Sequence, residues 1–156
     1  MFMKKSLYAG GRPSPLAKAL NTFWAKPHAW GIAPNYLVTL EIVGRKSGKV
    51  IAFPLVMLAR GEERYFVSML GEQSNWVRNL RAAGSRATLR HGRVEQVLLE
   101  DVPIEKRAPL LKAYLQIAPG ARSHVSVDKD APLEEFEKAA AAYLVFKVNP
   151  NKESNL

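Results

Sequence analysis

At 156 residues, 47% hydrophobic and 9% aromatic, the chain suits one domain with a substantial core and is too apolar for disorder. It contains no cysteine, which excludes a disulfide framework, a thiolate metal site and a cysteine nucleophile, and agrees with a reducing cytosol. The net charge of +9 is unevenly placed: residues 1–60 carry nine Lys/Arg against one acid, Glu41, while the remainder is near balance. Such a localised field steers an anionic partner, whether nucleic acid, anionic lipid or a multiply charged small molecule.

Residues 1–34 read as a basic, glycine-containing arm followed by an amphipathic helix. From Pro15, Leu16, Leu20, Phe23 and Trp24 share one helical face, and Pro27 ends it. This helix is expected to pack on the domain; contact with a membrane surface or with a substrate is the alternative. Met1 to Leu7 carries two lysines but no apolar stretch follows, and no segment has the length of a membrane span. The expected location is therefore cytoplasmic.

Residues 35–149 form the main domain and 150–156 a tail. Tyr36–Val43 predicts a strand, and a second runs through Leu58. Gly61 turns the chain into a third, Arg64–Leu70, with Glu62 and Glu63 expected as solvated surface. Gly71 then introduces a helix with Ser74 as N-cap and Trp76, Leu80 and Ala83 on one face, stopped by Gly84. Strands follow at Arg86–Arg90 and Val94–Val102. Pro103–Ile117 is helical, with a regular part expected from near Glu105 because of Pro109. After a loop over Pro119–Lys129, Asp130 caps a helix reaching about Ala142, and Leu144–Val148 is a closing strand. The fold class is α+β: about six mostly antiparallel strands forming a small barrel with inserted helices.

The most unusual stretch joins the first two strands: Gly44-Arg45-Lys46-Ser47-Gly48-Lys49. Gly48 supplies the positive φ that such a turn needs. Three cations within five residues repel one another and add nothing to the turn. Two readings stay open: a solvated hairpin tip, or an anion cradle of loop amides with Lys and Arg, which suits phosphate. The stretch is no Walker loop, because Gly48-Lys49 is followed by Val50 and another strand.

His28, His91 and His124 sit at spacings that make no metal pair, and no metal is expected. Neither a nucleophile elbow of the G-x-S-x-G type nor a G-x-G-x-x-G dinucleotide loop is present. With no self-sufficient catalytic set, the reactivity is expected from a bound cofactor.

The order of these motifs resembles a known family. Gly44-Arg45-Lys46-Ser47-Gly48, then Pro54-Leu55, then Asn75-Trp76-Val77-Arg78-Asn79-Leu80 and a late Leu144-Val145-Phe146-Lys147-Val148 resemble the deazaflavin-dependent nitroreductases. These are split β-barrel proteins, of the FMN-binding-like superfamily, that bind coenzyme F420. The resemblance implies an oxidoreductase that passes a hydride from reduced coenzyme to a quinone, a nitroaromatic or an activated enone. It implies that Gly44, Arg45, Lys46, Ser47, Gly48 and Lys49 hold the phosphodiester or oligoglutamate tail. Pro54, Leu55, Val56, Met69, Leu70 and Gly71 would pass along the ring and ribityl chain, and Asn75, Trp76 and Asn79 would flank the ring. The candidate proton donors are His124, Tyr114 and Tyr143, with solvent as the alternative. Ile51 or Ala52 stands where the family often has a further Arg, and Val77 where it often has Tyr.

Other readings stay beside this one. Relatives on the same barrel bind FMN, FAD, haem or fatty acids, which allows a non-catalytic carrier. A nucleic-acid module would use the same basic hairpin, although no stacking aromatics are interleaved with its cations. The partners expected are a small hydrophobic electron acceptor and a second copy of the chain.

Overall fold

A computed structural model describes residues 37–118, 121 and 125–152 of the chain. The predicted arm and helix of residues 1–34, with Tyr36, His28 and His124, lie outside the described residues. Seven strands form one antiparallel sheet: β1 (Leu37–Val43), β2 (Val50–Val56), β3 (Leu58–Arg60), β4 (Glu63–Ser68), β5 (Arg86–Arg90), β6 (Val94–Asp101) and β7 (Leu144–Pro150). Among the described residues three α-helices accompany it: α1 (Asn75–Ala82), α2 (Ile104–Ile117) and α3 (Leu133–Ala139).

The spatial order β2-β1-β5-β6-β7-β4-β3 places β2 and β3 at opposite edges, although Met57 alone separates them in sequence. Laid flat, such a sheet would be roughly 29 Å wide at about 4.8 Å per strand spacing. A one-residue link spans only about 7 Å. The sheet therefore curls until its edges meet, which makes it a split β-barrel. This also corrects the predicted second strand through Leu58: it divides at Met57, giving seven strands instead of about six. Pro54, which cannot donate a ladder bond, sits on the edge strand β2 opposite Thr39.

The alternation of side chains builds two cores. Inside the barrel lie Val38, Leu40, Ile42, Phe66, Leu89, Leu99 and Phe146, sealed by Val77 and Leu80 of α1. On the outer face Tyr65, Val67 and Val145 pack under Leu111 and Leu115 of α2 and Phe136 of α3. Both faces of β4 are thus covered, which is why Tyr65-Phe66-Val67 reads as an unbroken apolar run.

The ends of the helices differ partly from expectation. At the end of α1 the Ser85 N–H donates to Leu80 O at 2.9 Å and the Gly84 N–H to Arg81 O at 3.2 Å, the Schellman pattern, with Gly84 at φ +69°. Ser74 occupies the N-cap position of α1 but its side chain makes no capping bond. At α3 the N-cap is Pro132, two residues past Asp130; the Asp130 carboxylate instead receives Lys129 Nζ at 2.8 Å. Helix α2 runs from Ile104 through Pro109. β7 continues to Pro150, beyond the expected end at Val148, because its register with β6 extends to Val97.

Candidate functional site

The hairpin between β1 and β2 is closed by two main-chain bonds. The Gly44 N–H donates to Lys49 O at 2.7 Å, and the Gly48 N–H to Gly44 O at 2.9 Å. Gly48 takes φ +71°, as the turn demands. The Ser47 hydroxyl oxygen accepts the Lys49 N–H at 3.2 Å. Gly44 is a glycine for a different reason. A Cβ there would lie 2.9 Å from Ile51 Cδ1 and 3.2 Å from the Lys49 carbonyl.

Helix α1 meets this hairpin side-on. Asn79 Oδ1 accepts the Arg45 main-chain N–H at 3.1 Å and Arg45 Nη1 at 2.7 Å, and Nη1 also reaches the Asn75 carbonyl at 3.5 Å. Between hairpin and helix lies a cleft of about 220 Å³ lined by Gly44, Arg45, Lys46, Ser47, Ile51, Asn75 and Asn79. Six residues proposed from the sequence, separated by up to 35 positions, thus come together. Among the described residues no carboxylate pairs with Arg45, Lys46 or Lys49, and none lines the cleft. Arg45 and Lys46 therefore keep their field in a concave place, with Lys49 nearby on the same hairpin.

The other predicted residues lie elsewhere. Gly48 and Lys49 belong to the hairpin but do not line the cleft. Trp76, half-buried, packs its ring on Phe53 (centroids 6.0 Å apart) and edge-on to Phe146 (5.5 Å), at the rim of the inner core. In β2, Leu55 packs on the inner core and Val56 belongs to the outer one, because neighbours on a strand face opposite ways. Pro54 lies between Phe53 and Leu55 on the same edge strand. Met69 packs against the outer core, and Leu70 is exposed. Gly71 is buried at φ +58°, and a Cβ there would be 2.9 Å from the Ala142 carbonyl. A close approach of backbone explains this glycine.

Tyr114 and Tyr143 sit in the outer core, away from the cleft. Burial holds the Tyr114 phenol far above its ordinary pKa, and the Tyr143 hydroxyl accepts the Ser126 N–H at 3.3 Å. Sequence reading missed one lining residue, Ile51, which appeared there only as a departure from the family pattern. It also gave no sign of the Arg45–Asn79 bond. No local pattern links residues 34 positions apart. Among the described residues no cluster of His, Asp or Glu could hold a metal, and no helix is long and apolar enough to cross a membrane.

The model of the F420H(2)-dependent quinone reductase family matches residues 26–134. No protein of curated function matches the chain in sequence. Among solved structures, an F420-H2 dependent reductase designated FDR-A superposes with a TM-score of 0.51 at 17% identity, over 76% of this chain and 97% of that one. A protein described as a domain-swapped dimer gives 0.52 at 16% identity, over 87% and 100%. Atu2129 of Agrobacterium tumefaciens str. C58, of unknown function, gives 0.52 at 9% identity over 74% of this chain, which spans only 48% of that one. These likenesses agree with the split barrel derived from strand order. Since the matched segment takes in the hairpin, α1 and most of the sheet, well over half of the sequence, the chain belongs to the F420H(2)-dependent quinone reductase family.

Proposed function

We propose that the protein is a reductase that binds reduced coenzyme F420 with the anionic part of the coenzyme in the cleft between hairpin and α1, and that its acceptor is a quinone. The observation that carries this reading is the meeting of Arg45, Lys46 and Ser47 with Asn75 and Asn79 in a concave site that has no acid among the described residues lining it. A phosphodiester with an oligoglutamate tail needs cations, N–H donors and the absence of carboxylates, so the donor set fits the group. When bound, the deazaflavin supplies the hydride.

The residues of this chain contribute position and field. Lys46, exposed, gives a point charge at the cleft, and Lys49, exposed on the same hairpin, adds to its field. Ile51 supplies its apolar wall. Trp76, braced by Phe53 and Phe146, fixes the start of α1 against the barrel and keeps water from the inner core. With Tyr114 and Tyr143 in the outer core, the proton is left to His124 or to solvent. Nitroaromatics and activated enones are further acceptors of the same two-electron chemistry.

Calorimetric titration with coenzyme F420 tests the reading. Lys46→Ala should weaken binding roughly tenfold, the scale of one charge-assisted contact, with an unchanged melting temperature. An equal dissociation constant in the variant and the wild type would overturn the assignment. Binding without turnover of menadione would favour a carrier on the same barrel.

A further inference from the structure

We infer that Asn79 is a positioning residue of the cradle, acting through Arg45 instead of touching the anion; this rests on the anion-cradle reading above. An arginine offers only donors, so the Asn79 carboxamide must present its oxygen to it. That oxygen accepts both the Arg45 main-chain N–H (3.1 Å) and Nη1 (2.7 Å), which occupies its two lone pairs. Asn79 is buried at 6% exposure, so its side chain is held by α1 and the inner core, while Lys46 to Lys49 are exposed.

Arg45 is the first residue after Gly44, the point at which the hairpin closes. Gripped by main chain and side chain at once, it fixes the direction in which the Lys46 and Ser47 amides leave β1. The third bond, from Nη1 to the Asn75 carbonyl at 3.5 Å, spreads the grip over one turn of α1. Among the described residues these three are the hydrogen bonds that join hairpin to helix. Three mutually repelling cations on an exposed loop would otherwise splay. A latch at one of them pre-organises the other two, and pre-organisation appears as affinity. Arg45 is then first a latch, and Lys46 the charge that meets the anion.

The test is a double-mutant cycle, read by calorimetry with coenzyme F420 and in parallel with inorganic pyrophosphate. Asn79→Ala should weaken binding about tenfold on the wild-type background. On Arg45→Ala it should act only in part, because the main-chain N–H of residue 45 still reaches Asn79, and it should act in full on Lys46→Ala. A loss on the Arg45→Ala background as large as on the wild type would mean direct contact with the ligand and would overturn the proposal, as would unchanged binding by Asn79→Ala alone.

Hydrogen exchange at the Arg45 amide, without ligand, is the second readout. The amide should be protected in the wild type and in Asn79→Asp, which keeps an acceptor, and should exchange fast in Asn79→Ala. Asn79→Ser replaces the alanine variant should that one not fold. Equal protection in all of them overturns the latch. If the wild type binds pyrophosphate but not F420, the coenzyme reading fails while the cycle still decides the role of Asn79. If it binds neither, the positioning role falls with the cradle.

Discussion

At Gly44 a hydrogen in place of a methyl group lets the hairpin close. An alanine would press on Ile51 Cδ1 at 2.9 Å, on Ser47 Oγ at 3.1 Å and on the Lys49 carbonyl at 3.2 Å, the same carbonyl that accepts the Gly44 N–H. Gly44→Ala should cost about 1–2 kcal/mol in urea unfolding. Ile51→Val, which lacks Cδ1, should recover part of that loss. No recovery would place the strain on the Lys49 carbonyl. Tyr65 is a second single-residue case. Its hydroxyl donates to Glu63, which also pairs with Lys147 Nζ at 3.3 Å, and the carboxylate holds the phenol up to about 12. Because the folded pKa is raised, this contribution is present below the ordinary phenol value of 10 and is lost as pH rises towards 12. In an ultraviolet titration of the phenols, Glu63→Gln should shift one tyrosine down towards 10.

Elements are joined by a few polar side chains placed where helices and strands end. Arg107, in the second turn of α2 and only 7% exposed, donates Nε to the Val102 carbonyl at 2.8 Å and Nη1 to the Ala140 carbonyl at 3.2 Å. It thereby ties the start of α2 to the turn that follows α3. Arg107→Met keeps most of the volume but removes the guanidinium donor from the Val102 carbonyl and from the Ala140 carbonyl, which retains only the long bond from the Tyr143 N–H at 3.4 Å. The variant should lose about 2 kcal/mol, measured by urea unfolding. Arg107→Lys, with one head group for two directions, should fall between the two proteins. Arg81 does the corresponding work for α1. Its guanidinium bonds Asp101 at 2.6 Å and Glu72 at 2.6 Å and stands 5.5 Å over the Phe146 ring. Its role is structural, although in sequence it is one more cation of a basic protein.

For the whole molecule, charge sets the response to acid. Hydrogen bonds from Arg81 hold Asp101 below its ordinary value of 3.8, and those from Arg64 hold Glu95 below 4.5. Both carboxylates bind protons less readily folded than unfolded. Their contribution is therefore present above the unfolded values and is lost as pH falls through the depressed ones. Urea midpoints measured from pH 5 to pH 2 should fall steadily in the wild type. They should fall less over that range in Arg64→Gln/Arg81→Gln, which starts lower. Parallel curves would refute this account of the two pairs.

The sequence by itself determined the local elements and the electrostatic anomaly. β5 has the predicted bounds Arg86–Arg90 because alternation is clear and turns flank it. Gly84 ends α1 because only glycine takes that φ freely, and the unneutralised cations are visible by counting. Tertiary structure alone decided the rest. The run from Leu55 to Leu58 contains no turn signal, since both cores take residues from it, so only barrel closure reveals the break at Met57. Helical spacing marks Tyr114 as apolar-facing but cannot say which of two core layers it enters. The partner of Arg45 is set by where α1 crosses the hairpin, a long-range packing result that no period in the sequence records.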